Sequence, residues 1–398
     1  MFRLFLFLKV WYKNGMKQVY LDNAATTVLA PEVLEAMSPY LKEDYGNASS
    51  IHQFGQKARR AIDKAREQLA EFLNCQPPEI IFTGSATEAD NMVILGVKAK
   101  HIITSQIEHP AALEPCKYLE KQGVKITYLA VDKEGTVKAS DVEKAITAET
   151  GLVSIMYANN EIGAVQPIAE IGKMISRVNQ NRENRIFFHT DAVQAVNYLN
   201  CDVEKLAVDL LTLSGHKIYG PKGIGALYVK SGVALKPLLY GGHQELGLRP
   251  GTENVAGIAG LGKAIEEVVK HKNGISRIKQ LRDKLIDGIL EKIPQSRLNG
   301  SRENRLPNNV NVSFAGAEGE AILIALNQEG IAVSTGSACS SGSLEPSYVL
   351  LALGLSHLEA HGSLRLTLGR YTTEQEVDRV LEVLPKVIAR LRKISGTI

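Results

Sequence analysis

The chain has 398 residues, with 46 Lys and Arg against 43 Asp and Glu and a formal net charge of +3. So balanced a charge implies neither a nucleic-acid partner nor an anionic membrane surface. At 44% hydrophobic and 22% charged residues the composition is that of a soluble globular protein, and the length exceeds one ordinary core, so two domains are expected.

In chain order, Met1 to Val10 is apolar with two basic residues. A membrane span needs about 20 apolar residues, and no small-residue cleavage site follows. Residues 1–15 are therefore expected to be an extension, with translation beginning at Met16. From Glu79 to about Val255, short apolar strands alternate with helical patterns, the signature of a doubly wound, mostly parallel sheet. Its strands read as Glu79 to Phe82, Ile102 to Ser105, Gly151 to Tyr157, Ile186 to Thr190 and Leu210 to Leu213. Gly and Pro residues then turn the chain, and Ala226 to Val229 reads as a return strand. Helical periodicity runs from Ala256 to Leu290. A smaller α/β unit follows, with strands at Asn309 to Phe314 and Leu364 to Leu368 and a helix at Gly319 to Gln328. The closing helix starts at a capping box, Thr373 to Glu376, and Pro385 should kink or divide it.

Five of these strands end in polar groups. The Leu210 strand presents Ser214, His216 and Lys217: an amine that can form a Schiff base with pyridoxal phosphate (PLP), beside two groups able to donate hydrogen bonds to its phosphate. The alternative is a surface hairpin with a solvated lysine. Asp191 can pair with a pyridine nitrogen or simply cap the next helix. Asn159-Asn160-Glu161 can offer an amide to the ring hydroxyl or be turn chemistry. Thr83-Gly84-Ser85-Ala86-Thr87 opens a helix and makes an anion site from backbone N–H groups, although Ser85 and Glu88 also fit a capping box. His109 can stack on a ring and move protons, or be a surface histidine. Each alternative competes singly. Jointly, five strand ends suited to one cofactor, all at the edge where open α/β sheets bind ligands, favour a PLP site.

The four cysteines, Cys75, Cys116, Cys201 and Cys339, show no CxxC pair and no metal-like spacing, so reduced thiols are expected and no metal site. Cys75, Cys116 and Cys201 read as small buried hydrophobes. Cys339 is different, because Ser, Thr, Gly and Ala surround it, a composition that cannot bury apolar area.

From about Tyr20 almost to the C-terminus the chain resembles the PLP-dependent cysteine desulfurases of the NifS/IscS type. The resemblance lies in Tyr20-Leu21-Asp22-Asn23-Ala24-Ala25-Thr26-Thr27, Gly46 to His52, Ala86 to Asn91, Glu108-His109, Asn159 to Gly163 and Asp191-Ala192-Val193-Gln194. It continues in Ser214 to Lys217, Arg249 to Asn254, Thr335 to Ser341 and Gly362 to Arg365. Two departures are Thr83-Gly84-Ser85, where Thr-Ser-Gly is common, and Pro250, where a small residue is usual.

The resemblance implies fold type I, with 16–30 packing on a small domain, a large PLP-binding domain over 31–265 and a small domain over 266–398. It implies Lys217 as Schiff-base lysine, Cys339 as catalytic cysteine and His109 as the residue that stacks on the ring and manages the thiol proton. Asp191 would meet the pyridine nitrogen and Gln194 the ring hydroxyl. Ala86, Thr87, Ser214 and His216 would hold the phosphate, joined by Thr252 from the second subunit of a homodimer. Asn160 and Arg365 would hold the substrate carboxylate and nearby cofactor atoms. The implied reaction converts L-cysteine to L-alanine and leaves sulfur as a persulfide on Cys339. The acceptor would be an iron–sulfur scaffold of the IscU type, where Cys339 could transiently ligate a cluster, or tRNA thiolation, in the cytoplasm. A selenocysteine lyase or other PLP lyase, and a non-catalytic scaffold, are the alternatives.

Overall fold

The computed structural model describes residues 18–335 and 345–396. Its strands in chain order are β1 (Val19–Tyr20), β2 (Ile80–Thr83), β3 (His101–Ser105), β4 (Lys125–Leu129), β5 (Thr150–Ser154), β6 (Phe187–Asp191), β7 (Leu210–Ser214) and β8 (Gly225–Val229). Then come β9 (Ser296–Leu298), β10 (Asn309–Phe314), β11 (Ile331–Ala332) and β12 (Ser363–Thr367). The main sheet has the order β2-β8-β7-β6-β5-β3-β4, and only β8 runs antiparallel to its neighbours. β2, β7 and β8 are buried along their whole length, which is why they read as mostly apolar runs rather than alternations, with Thr83, Thr212 and Ser214 as the polar exceptions. The edge strand β4 has no counterpart among the expected strands. Its residues run from exposed Lys125 to half-buried Tyr128, too weak a pattern to separate from a loop.

The helical stretch expected from Ala256 to Leu290 consists of two helices, Val255–Lys270 and Ile275–Lys292, separated by a short turn at Lys272–Gly274. Ile265 and Val268 of the first pack on the main-sheet core, whereas Ile278, Leu281 and Leu285 of the second pack on a separate core with β10 and β12. Val19 and Leu21 belong to that second core, and β1 pairs in parallel with β11. The closing helix does begin at a reciprocal capping box, Thr373 with Glu376. Pro385 does not divide it: the helix continues unbroken from Glu374 to Ile394, held by Val380, Leu384, Val387 and Ile388 against the small core. Burial of that face offsets the loss of one backbone hydrogen bond.

Among the described residues no helix is long and apolar enough to cross a membrane, and no cluster of three metal-ligating side chains occurs. Cys116 and Cys201 are buried as expected, but Cys75 is only half-buried; burial pushes all three thiols up to about 12, so they are poor nucleophiles.

Candidate functional site

Lys217 closes a single helical turn, Gly215–Lys217, that follows directly on β7. The turn needs glycine at 215, because a Cβ there would lie 2.8 Å from Ile224 Cγ2 and 2.9 Å from the Pro221 carbonyl. The lysine is half-buried, and its Nζ donates to the carbonyls of Ala24 and Ala25. Gln194 Nε2 donates to the same Ala24 carbonyl at 3.1 Å, which brings the ends of β6 and β7 to one point. Asp191 ends β6, is 7% exposed, and accepts the N–H of Val193 at 2.9 Å. Burial raises its pKa to about 6, against the opposing pull of the Val193 N–H and of Lys217.

The segment 22–27 lies over these strand ends. Thr26 Oγ1 is 3.2 Å from His216 Nδ1, and Thr27 donates through both its N–H and its hydroxyl to the His216 carbonyl, each at 2.9 Å. Burial, then Lys217, lowers His216 to about 4, so its imidazole is neutral at physiological pH.

Beside Ser214, the helix Ala86–Gly96 begins. Ser85 caps it by accepting the Glu88 N–H at 3.1 Å. The reciprocal half of the box expected here is absent. Glu88 instead accepts the Gly84 N–H at 2.8 Å and an ion-pairing N–H from Arg249 at 3.0 Å. The first N–H groups of a helix have no intrahelical partner, so Ala86 and Thr87 face an anion site at its positive end. Gly225, paired with Ser214 across β7–β8, lets this turn come close: a Cβ there would be 2.8 Å from Ser85 C and 3.0 Å from Ala86 N.

His109 caps the helix Pro110–Lys121, its Nδ1 accepting the Ala111 N–H at 3.1 Å. That bond assigns the neutral ring's proton to Nε2. Burial and then Lys217 lower His109 to about 4. A cleft of about 660 Å³ opens beside it, lined also by Thr87 and Asn91.

Asn160 and Arg365 meet on the small-core side. Arg365 is 2% exposed; its Nη1 donates to the Asn160 carbonyl at 3.1 Å and its Nη2 pairs with Asp22 at 2.9 Å. Arg365 Nε and Asn160 Oδ1 are buried without a partner among the described residues. An unsatisfied donor on Arg365 and an unsatisfied acceptor on Asn160, whose backbone carbonyl Arg365 already holds, fit a ligand that carries both charge and hydrogen-bonding groups. Cys339 lies outside the described residues. The chain on either side of it is anchored at this corner: Ser334 exchanges two backbone hydrogen bonds with Arg365, and Ser347 Oγ donates to Glu161 Oε2 at 2.5 Å. Thr252 is exposed and lines a cleft of about 180 Å³ with Gly84 and Arg249.

Lys217, Asp191, Gln194 and the helix N-terminus at Ala86 therefore converge at the carboxyl edge of the sheet, together with Ser214 and His216. The sequence motif at 20–27 had no role assigned; only the fold puts the Ala24 and Ala25 carbonyls on the lysine and Asp22 on Arg365. An amine, a buried carboxylate opposite it and an anion cup at one sheet edge fit pyridoxal phosphate, and the fold and site define a PLP-dependent enzyme of fold type I.

The profile of the family "Aminotransferase class-V" matches residues 19–380. The chain is 53% identical over 386 residues to cysteine desulfurase IscS of Dictyoglomus turgidum, covering 95% of this chain and 96% of that one. Among solved structures, a "NifS-like protein" superposes with a TM-score of 0.87 at 38% identity over 94% of this chain and 100% of the other. "SspA in complex with cysteine" does so with a TM-score of 0.78 at 39% identity, over 90% and 100%. The chain belongs to the class-V aminotransferase family, on its cysteine desulfurase branch.

Proposed function

We propose that the chain desulfurates L-cysteine to L-alanine and holds the released sulfur as a persulfide on Cys339. Bound PLP supplies the electron sink. The rest of the work falls to side chains of the chain. Arg365 orients the substrate carboxylate with Asn160, by hydrogen bonds that a lysine's point charge cannot reproduce. The Lys217 amine takes the proton from the substrate Cα. When PLP is bound, Asp191 would favour a protonated ring nitrogen, Gln194 would meet the ring hydroxyl, and Ala86, Thr87, Ser214 and His216 would hold the phosphate. His109, neutral at working pH with its proton on Nε2, manages the thiol proton, and taking one at Nδ1 requires that nitrogen to release the Ala111 N–H. The Cys339 thiolate attacks the substrate sulfur: the S–S bond forms, the C–S bond breaks, and the electron pair left on carbon is protonated to give alanine.

The observation that carries this reading is the convergence of Lys217 and Gln194 on the Ala24 carbonyl, beside buried Asp191, with Arg365 holding unused donor capacity nearby. A homodimer with Thr252 reaching the neighbouring phosphate cup completes the reading. It is supported by the exposure of Leu239 (56%), Tyr240 (86%) and Leu246 (73%) on the loop leading to Thr252. The sulfur acceptor we take to be an iron–sulfur scaffold or a tRNA-thiolation carrier in the cytoplasm.

The test is to incubate the PLP-loaded protein with L-cysteine and to quantify alanine together with persulfide on Cys339. Wild type is expected to yield both. Cys339→Ser should form little alanine beyond one slow background, and equal alanine from both proteins would refute the persulfide route.

A further inference from the structure

Two buried side chains that the proposed chemistry leaves unused lie directly behind Asp191. Asp90 sits one turn into the helix Ala86–Gly96 and is fully buried, and neither of its carboxyl oxygens has a hydrogen-bond partner among the described residues. His189, two residues before Asp191 and on the same face of β6, is also fully buried. Its Nε2 is 3.6 Å from Asp90 Oδ1 and 3.0 Å from the Thr212 hydroxyl, while its Nδ1 is 2.8 Å from the Ser154 hydroxyl. Thr212 stands opposite Asp191 in the β6–β7 register, and Ser154 opposite His189 in β5–β6.

A buried carboxylate with no hydrogen bond within normal distance is strongly disfavoured against its neutral acid, which pushes Asp90 toward its protonated form. Burial is the first cause; Asp191 on β6 and Glu108 after β3 face it and push the same way, while the Thr212 hydroxyl on β7 opposes them. Burial also holds His189 neutral, its pKa lowered to about 3. Glu108, buried and bonded to Ser105 and Met156, is raised to about 8. Of the three carboxyl groups at this corner, Asp191 is the one that faces Lys217 and carries the charge at neutral pH.

We propose that Asp90, His189 and Thr212 are positioning residues: a neutral, buried plate packed behind Asp191 that leaves its carboxylate, held by the Val193 N–H, as the single negative charge beneath the ring nitrogen. The proposal rests on the assignment of Asp191 to that nitrogen. Because Asp90 belongs to the helix whose first turn carries Ala86 and Thr87, the plate also ties the phosphate end of the site to its nitrogen end.

The experiment is the nitrogen-15 resonance of ring-labelled PLP bound to the purified holoenzyme, followed with pH and recorded beside steady-state kinetics. Thr212→Val keeps the side-chain shape and removes one hydroxyl. It is expected to move the resonance toward the unprotonated pyridine position and to lower kcat about fivefold, the equivalent of one hydrogen bond. The KM for cysteine should stay within about twofold, and Thr212→Ser should restore the wild-type resonance. Asp90→Asn places a neutral amide where the neutral acid stands and should leave both the resonance and its titration unchanged. An unshifted resonance in Thr212→Val overturns the positioning role. A displaced titration in Asp90→Asn would mean that Asp90 is charged, and overturns the neutral plate. A wild-type resonance already at the unprotonated position would instead remove the Asp191 assignment itself, so the two failures are distinguishable.

Discussion

Arg365 is an arginine buried to 2% with its donors only partly used, a state that a small carboxylate ligand would relieve. Asp22 and the Asn160 carbonyl fix two of its nitrogens, so the fork is already aimed when substrate arrives. Arg365→Lys keeps the charge and loses the fork. One charge-assisted hydrogen bond corresponds to roughly 10- to 100-fold in kcat/KM for cysteine, and most of the loss should appear in KM; initial-rate alanine assays measure it. Glu108 makes a different prediction. Its folded pKa of about 8 stands above the ordinary glutamate value, so the folded state holds a proton that the unfolded state releases. That stabilisation is complete below about pH 4.5 and is lost as pH rises through about 8. Cofactor-free protein should therefore lose about 1–2 kcal/mol between pH 6.5 and 8.5 from this group. Urea denaturation at the two pH values should show a smaller drop in Glu108→Gln.

At the scale of elements, the phosphate cup depends on how closely the hairpin β7–β8 approaches the turn before the helix Ala86–Gly96. Gly225 permits that approach: an added Cβ would sit 2.8 Å from Ser85 C, 2.9 Å from the Leu213 carbonyl and 3.0 Å from Ala86 N. Backbone must shift to accept it, and overpacking of this kind costs about 1–3 kcal/mol. Gly225→Ala is accordingly expected to weaken PLP binding about tenfold or more, read by cofactor titration. A similar closeness joins the two cores. Gly163, with φ of +74°, brings its turn against Asn309, and Asn309 and Asn311 both donate to the Glu161 carbonyl, at 3.0 and 3.1 Å. The turn that carries Asn160 is thus held by β10 of the small core, beside Arg365 on β12.

At the scale of the molecule, two cores meet along the carboxyl edge of the main sheet, and the residues of the site come from both. The loop with exposed Leu239, Tyr240 and Leu246 lies outside either core, and burying those side chains in a second copy would relieve the exposure. If the proposed homodimer forms through this loop, wild type is expected to sediment as a dimer and the double variant Tyr240→Asp, Leu246→Asp as a monomer. The variant should also bind PLP more weakly, because Thr252 would no longer reach a neighbouring cup. A variant that is monomeric with undiminished PLP affinity would separate the dimer from the cofactor site.

The sequence by itself determined the alternation that makes a doubly wound sheet, because fully buried strands such as β2 and β7 are mostly apolar, with polar groups confined to Thr83, Thr212 and Ser214. It also marked the strand-end lysine and aspartate, whose chemistry is local to one turn. The tertiary structure alone decided the partners of those groups, since hydrogen bonds such as Lys217 to Ala24 or Arg365 to Asp22 join residues far apart in the chain. It also decided that Pro385 leaves its helix whole, because packing against the small core outweighs a local backbone preference. Asp90 and His189 are the plainest case. Neither residue type is informative in a helix or a strand, and only burial from several elements at once turns them into a neutral pair behind Asp191.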